Sequence, residues 1–421
     1  MTAAGDRAVT ASAGPTDRPV TARRRPVAMI VHSYYEEDPR VRRQAETLVA
    51  TGRPVDVISL RRPGDAPGGT LEGVRITRLD VQRHQGSPIA TYLAEYSAFL
   101  VRAAFALARA HRRRRYALVQ VHTPPDFLAF AALPLRLAGV PLLLDLHEAT
   151  PEFFRSRWPG ASSPLTIGAL TVVERVSAAI ASRVLSVNQA RHERLLGLGI
   201  PAGKLRVVRN GPVLARFDPD AHPRRDFMAD GTLRLAYAGA LTPLYGLTDA
   251  VDALAMLAER RPELAVELHL YGRGDMEDEL RARAAEHGLA DRVVLHGRIA
   301  LDAVAASLAG CDIALSPIRR NRFSEISLST KVFEGAIMGK PVVAADLPAA
   351  RSEFEDDMLA WYAPDDPADL ARAILRVVDD PPWRAAVADR AAARARELAW
   401  DGEAPRYVAI VEELARDRVS S

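Results

Sequence analysis

Short apolar runs alternate along this chain with longer stretches of helical period. "PVAMIVHSY" (residues 26–34) is apolar up to its polar end, and "DPRVRRQAETLVATG" follows, with Pro39 near a helix start and Gly52 at its stop. The runs recur as "PVDVISL" (54–60), "ALVQVH" (117–122), "VPLLLDLHE" (140–148), "RVLSVN" (183–188) and "KLRVVRNG" (204–211), with helical segments between them. Several of these runs are apolar without alternation, which predicts a parallel sheet covered on both faces. The polar stretch 212–233, rich in Pro, Asp and Arg, reads as a linker. Beyond it the pattern restarts with "RLAYAGAL", "AVELHLYGRG", "RVVLHGRI", "CDIALSPI" and "PVVAAD". The expected fold is therefore α/β, with two Rossmann-like doubly wound domains facing each other across a cleft. Ligands of such sheets bind outside the carboxyl ends of the strands, so the residues that follow strands are the ones to weigh.

A length of 421 residues suits two domains of about 200 residues each. The expected boundaries are a tail over 1–25, a first domain over 26–215, a second over 216–395 and a terminal helix over 396–421. Charge narrows the classes of partner. Basic residues number 56 against 53 acidic, a net charge of +3, which gives no polycation for nucleic acid. The single cysteine, Cys311, excludes an internal disulfide and a cysteine-based zinc site. Residues 1–25 hold no apolar run and read as a disordered tail rather than a signal peptide. The most apolar window, 127–146, is broken by Pro134, Arg136, Gly139 and Pro141, so it reads as a buried helix and strand rather than a membrane span. A cytoplasmic protein is the simple expectation.

The stretch "SLSTKVFEGAIMGKPVVAAD" (327–346) carries the strongest chemical signal. Ser329 and Thr330 are N-cap residues by type, so a helix begins at about Thr330. A nucleotide phosphate at that N-terminus would meet free N–H groups and the positive end of the helix dipole. Glu334, one turn in, is placed to accept two hydrogen bonds from a ribose diol; equally, it is a carboxylate stabilising a helix start. Gly335 beside it keeps bulk away from whatever docks, and Gly339 and Pro341 end the helix.

"TKVFEGAIMGKPVVAAD" resembles the sugar-nucleotide site of retaining glycosyltransferases of the GT-B fold, glycosyltransferase family 4 (group 1). "DPRVRRQAETL", "VHTPPDFLAFAA", "LLLDLHEATPEFF", "LRVVRNGPVLARFDP", "YAGALTPLYGL", "LYGRGDMEDEL" and "VVLHGRI" resemble further family segments in the same order, over residues 26–400. The resemblance implies that Glu334 holds the donor ribose. The family's first motif glutamate lies eight positions earlier, at Ile326 here. Glu325, or the backbone of 327–329, is therefore expected to face the donor sugar as part of the catalytic site. Lys331 is expected to reach a phosphate. The family's diphosphate loop, G-R-L-x-x-x-K-G, reads "GALTPLYG" here, with Ala240 and Tyr245 in place of the Arg and Lys. The charge they would supply is expected from Arg273, Arg319, Arg320, Arg322 or Lys331, with N–H contacts from Gly239 and Gly246. His147 corresponds to a catalytic-site histidine near the donor sugar, with Glu148 and His122 as acceptor-binding candidates. The resemblance also implies that the terminal helix crosses back to the first domain.

Asp218-Pro219-Asp220 has the spacing of a metal-binding D-x-D but sits in the linker and not after a strand, so it is not read as a metal site. The resemblance implies no bound metal and no cofactor beyond the donor substrate. The cluster Arg109 to Arg115 at a helix end is a candidate for peripheral contact with anionic lipid, or a solvated helix end where cations belong. Phe153, Phe154 and Trp158 lie in a loop suited to line an acceptor cleft or a membrane face. The expected activity is transfer of a sugar from a nucleotide diphosphate sugar to a hydroxyl acceptor, lipid-linked or otherwise, with retention of configuration, in bacterial glycan or secondary-metabolite biosynthesis. The alternatives are a nucleotide-sugar epimerase of the same fold and a non-catalytic partner that lacks donor affinity.

Overall fold

The structure, a computed structural model, describes residues 24–84, 89–223, 225–300 and 302–416. The expected N-terminal tail lies outside the described residues up to position 23. Eight strands form the first sheet: β1 (Val27–Val31), β2 (Val55–Leu60), β3 (Gly68–Leu71), β4 (Val74–Leu79), β5 (Leu118–His122), β6 (Leu142–Leu146), β7 (Arg183–Ser186) and β8 (Leu205–Val207). Their order is β3-β4-β2-β1-β5-β6-β7-β8, parallel throughout except for the antiparallel β3–β4 hairpin. Alternate residues point to opposite faces. Ala28, Ile30, Val121 and Leu144 therefore feed one core, and Val27, Met29, Leu143 and Leu185 the other.

The hairpin was not expected, and its exposure explains why. Gly68–Thr70 face solvent, so β3 carries no apolar run to read. Six helices belong to this half: α1 (Pro39–Ala50), α2 (Ile89–Arg114), α3 (Leu133–Leu137), α4 (Thr150–Arg157), α5 (Pro164–Ile180) and α6 (Gln189–Gly197). Helix α1 starts where the Asp38 side chain accepts from the Arg40 N–H and Pro39 fills N1. Helix α2 ends at Arg114, with Arg115 at φ 52°. Helices α2, α3 and α5 cover the Ile30 face, with Phe99, Ala103, Leu107, Leu135 and Ala178 in the core.

The second sheet is wholly parallel, in the order β11-β10-β9-β12-β13-β14. Its strands are β9 (Thr232–Ala238), β10 (Ala265–Tyr271), β11 (Val293–Gly297), β12 (Ile313–Ser316), β13 (Val342–Ala345) and β14 (Ala360–Tyr362). Its helices are α7 (Leu247–Arg260), α8 (Glu277–Glu286), α9 (Ala303–Ala309), α10 (Thr330–Ile337), α11 (Pro348–Arg351), α12 (Pro367–Asp379) and α13 (Pro381–Glu397). Leu247, Val251, Leu370 and Ile374 of α7 and α12 pack on one face; Leu308, Phe333 and Ala391 of α9, α10 and α13 pack on the other.

The last helix, α14 (Trp400–Arg416), packs on the first sheet. Trp400, Tyr407, Ile410 and Val411 join the core that α1 covers. The Trp400 indole donates to Thr47 Oγ1 at 2.9 Å, and Arg53 pairs with Glu412 at 2.6 Å. No helix among the described residues is long and apolar enough to cross a membrane.

Candidate active site

Helix α10 sets one wall of the cleft. Ser329 is its N-cap, and its hydroxyl accepts from the Lys331 N–H at 3.4 Å. Gly335 does not clear space for a ligand. A Cβ there would lie 2.5 Å from Ala314 Cβ and 3.2 Å from Val342 Cγ2, so glycine is needed for α10 to approach β12 and β13. Glu334 is partly buried on α10 beside that contact, one turn in from Thr330, and stands behind Thr330 and Lys331 rather than in the lining of the cleft pocket. Burial raises its carboxyl above the usual range, against the pull of Lys331 and the Thr330 hydroxyl.

Lys331 supplies the cation of this wall. Its ammonium lies 4.2 Å from the Tyr245 ring centroid and 5.2 Å from that of Tyr237, and no ion pair claims it among the described residues. Tyr245, which stands where the resemblance expects a lysine, therefore holds a lysine that arrives from another element. Gly239 makes this arrangement possible. A Cβ on it would stand 2.2 Å from Lys331 Cε and 2.7 Å from Nζ.

The two loop glycines do not offer their N–H groups. Gly239 N–H donates to the Tyr271 carbonyl at 2.8 Å and Gly246 N–H to that of Pro317 at 2.9 Å. The expected arginines are also engaged elsewhere. Arg319 bonds Thr248 at 2.8 Å and Asp249 at 3.1 Å, and Arg320 donates to the Asp346 carbonyl at 2.9 Å. Arg273 is exposed, close to Gly297, and Arg322 is exposed as well. None of these four arginines lines the cleft pocket.

The opposite wall comes from the first sheet. His147 follows β6, lines the pocket, and is neutral. Burial drops its pKa to about 3, against the pull of Asp145. His147 Nε2 lies 3.1 Å from His122 Nδ1 and 3.3 Å from Asp145 Oδ2. Burial opposes ionisation of Asp145, yet the two histidines and Gln44 hold its carboxyl well below the usual range. A polar chain continues behind it. Gln44 Nε2 donates to Asp145 at 2.7 Å, Gln120 Nε2 to Gln44 at 2.5 Å, and the Tyr407 hydroxyl of α14 to Gln120 at 2.6 Å.

His122 is fully buried behind His147, which removes it from contact with an acceptor. His122, Asp145 and His147 place three ligand atoms within 4.8 Å of one another. The remaining ring nitrogens, His122 Nε2 and His147 Nδ1, are buried without a partner, so the acceptor that orients a metal-bound histidine is missing. Gln44 already bonds Asp145 Oδ2. Hydrogen bonds account for the cluster, and the residues do not fit a metal.

Between the walls lies a pocket of about 220 Å³. Arg191 of α6 closes it. Its guanidinium donates to the His147 carbonyl and the Ser327 hydroxyl, and reaches Glu148 Oε2 at 3.3 Å. Asn188 Nδ2 donates to the Ile326 carbonyl at 3.0 Å. Ser327, Leu328 and Ser329 line the pocket, and Glu325 does not. Glu325 sits in the 3-10 turn Ser324–Ile326, which presents Ser324 to the pocket instead. Arg40 lines it too, held by Asp38 at 3.0 Å.

Sequence reasoning missed Arg40, Asn188 and Arg191. Each had a signal. Arg40 is a cation in the first turn of a helix, against the dipole, and Asn188 and Arg191 are the N-cap and first turn of α6, the helix that follows β7.

Two family models match in tandem. One, described as a glycosyl transferase 4-like domain, matches residues 38–211, and one described as glycosyl transferases group 1 matches 232–380; between them they span most of the chain. A glycogen synthase of Mycobacterium tuberculosis is 27% identical over 362 residues, covering 83% of each chain. A 2-deoxystreptamine glucosyltransferase of Streptomyces kanamyceticus is 27% identical over 361 residues, covering 82% of each. Among solved structures, a sucrose-phosphate synthase from Thermosynechococcus elongatus superposes with a TM-score of 0.75 at 20% identity, over 93% of this chain and 99% of its own. The Anabaena protein HepE, in complex with UDP and glucose, superposes with a TM-score of 0.69 at 18% identity, over 92% of this chain and 99% of its own. The chain belongs to the group 1, family 4-like glycosyltransferases and has their two-domain GT-B fold.

Proposed function

We propose that this glycosyltransferase moves a sugar from a nucleotide diphosphate sugar to a hydroxyl acceptor with retention at the anomeric carbon, in bacterial glycan or secondary-metabolite assembly. The observation that carries the reading is the meeting of two walls in one pocket: Lys331 at the N-terminus of α10 on one side, His147 and Glu148 on the other. The diphosphate sits against Lys331 and the helix N-terminus, and Glu334 takes the ribose diol. The sugar lies between Ser327–Ser329 and His147.

Burial makes His147 a weak base, and the Glu148 carboxylate that lines the pocket is bound to the Arg191 guanidinium. The chemistry that fits is front-face displacement. The C1–O bond to the diphosphate breaks, the acceptor oxygen bonds C1 from the same side, and the leaving diphosphate takes the acceptor's proton. The protein contributes positioning and charge stabilisation. Glu148, held by Arg191, is the group nearest to hand for the acceptor.

The test is thermal shift with UDP, GDP, ADP and dTDP, with and without their sugars, followed by NMR of the product's anomeric centre. UDP-glucose comes first, because HepE is described with UDP and glucose and one relative is named a glucosyltransferase. A shift with one nucleotide and a product that keeps the donor's configuration support the reading. An inverted product refutes the displacement. No shift with any nucleotide favours the non-catalytic alternative that Ala240 and Tyr245 motivate. A rearranged nucleotide sugar with nothing transferred favours the epimerase.

A further inference from the structure

We propose that the outer face of the α2, α3 and α5 layer docks this protein on an anionic lipid bilayer. The large hydrophobic side chains that the described residues expose fall within residues 93–196 of the first domain, and seven of the eight are on these three helices. Phe105 is 77% exposed, Leu137 80% and Leu165 84%. On α5 the stripe Leu165, Val172 and Val176 lies opposite the buried Glu174, Ser177 and Ala178. On α2, Val101 and Phe105 run into the exposed arginines 109, 112 and 113 on the same side.

The charge pattern identifies the occupant. Helices α2, α3 and α5 and the 3-10 segment Asp126–Ala132 between them contain three carboxylates, Glu95, Asp126 and Glu174, and all three are buried. Arg109, Arg112, Arg113 and Arg175 are exposed, with no ion pair among the described residues. These helices thus offer water apolar groups and cations, and none of their own carboxylates. A second copy of the same face would set arginine against arginine, whereas acidic headgroups over an acyl boundary match both features. The face also leads to the pocket. Tyr92 at the start of α2 meets Trp158 at 5.7 Å, and Phe153 of the same α4 segment meets Phe323 of the pocket wall at 5.4 Å. A lipid-linked acceptor would travel along this aromatic edge. The docking surface itself does not depend on the donor assignment.

The full chain is to be floated with vesicles of phosphatidylcholine alone and of phosphatidylcholine with phosphatidylglycerol, at low and high salt. The expected result is binding to the anionic vesicles that weakens with salt. Phe105→Ser with Leu165→Ser lowers the partition coefficient roughly tenfold or more. Arg112→Ala with Arg113→Ala lowers it about fivefold per arginine, on anionic vesicles only. Both variants keep the parent's melting temperature and nucleotide response. Equal binding to the two vesicle types, or binding unchanged in both variants, overturns the proposal. So does a concentration-dependent dimer in sedimentation velocity that the Phe105/Leu165 variant abolishes, which would assign the face to a second copy.

Discussion

Replacing Lys331 by Ala tests how this chain neutralises a diphosphate without the usual loop cations. The ammonium sits 4.2 Å from the Tyr245 centroid, with no carboxylate bound to it among the described residues, so its charge is available to a ligand. Two unit charges 4 Å apart interact by about 4 kcal/mol at an effective dielectric of about 20. Exchange with water leaves about 1.5–3 kcal/mol for a charge-assisted hydrogen bond. Lys331→Ala should therefore weaken a nucleoside diphosphate by roughly 10- to 150-fold. Isothermal titration of the nucleotide with the largest thermal shift measures this, with the bare nucleoside as control. The nucleoside carries no phosphate and should bind both proteins alike. An unchanged diphosphate affinity, or an equal loss for nucleoside and diphosphate, would refute the assignment of the phosphate charge to Lys331.

Four further outcomes follow from the same geometry. Gly239→Ala should reproduce the Lys331 defect in the same titration, because its Cβ would occupy the space 2.2 Å from Lys331 Cε; a normal affinity would show that the lysine need not lie there. Glu334→Ala should weaken nucleotide binding by about 1–3 kcal/mol, and an affinity unchanged for every nucleotide removes Glu334 from the site. Arg191→Met should open the cleft, seen as a larger radius of gyration in small-angle scattering without nucleotide; an identical curve would mean that Arg191 does not hold the domains together. The folded state refuses a proton at His147 until about pH 3, while the unfolded chain takes it up near 6.5. Its contribution to stability is therefore complete above pH 6.5 and falls as pH drops toward 3, by up to about 1.4 kcal/mol per pH unit. His147→Gln should flatten that slope in denaturant melts, and an unaltered slope would exclude His147 as the group responsible.

Much of the architecture could be read from the chain because its central strands are apolar on both faces. The runs at 26–31, 140–146 and 342–345 lie within β1, β6 and β13 and the residues just before them. The β3–β4 hairpin escaped because β3 is solvent-exposed and glycine-rich, where no hydrophobic period exists to be read. The site was legible only in part. Residues that follow strands were the right places to look, and His147 and Glu148 do line the pocket. Packing decided what spacing could not: Gly335 serves a helix–strand contact, and His122 is sealed behind His147. The substitution of one cation by another was illegible for the same reason. Tyr245 and Lys331 are 86 positions apart in the chain (331 − 245), and only the fold brings the ammonium onto the ring.

The crossing of α14 fixes an order of events during synthesis. Trp400, Tyr407, Ile410, Val411 and Leu414 complete a core whose other members begin at Val27, so the first half leaves the ribosome with part of one sheet face uncovered. That face stays wet until the second half has been made. A fragment ending near residue 211 would lack its own lid and carry sticky apolar surface, whereas the same fragment supplied with residues 400–416 as a separate peptide should become soluble.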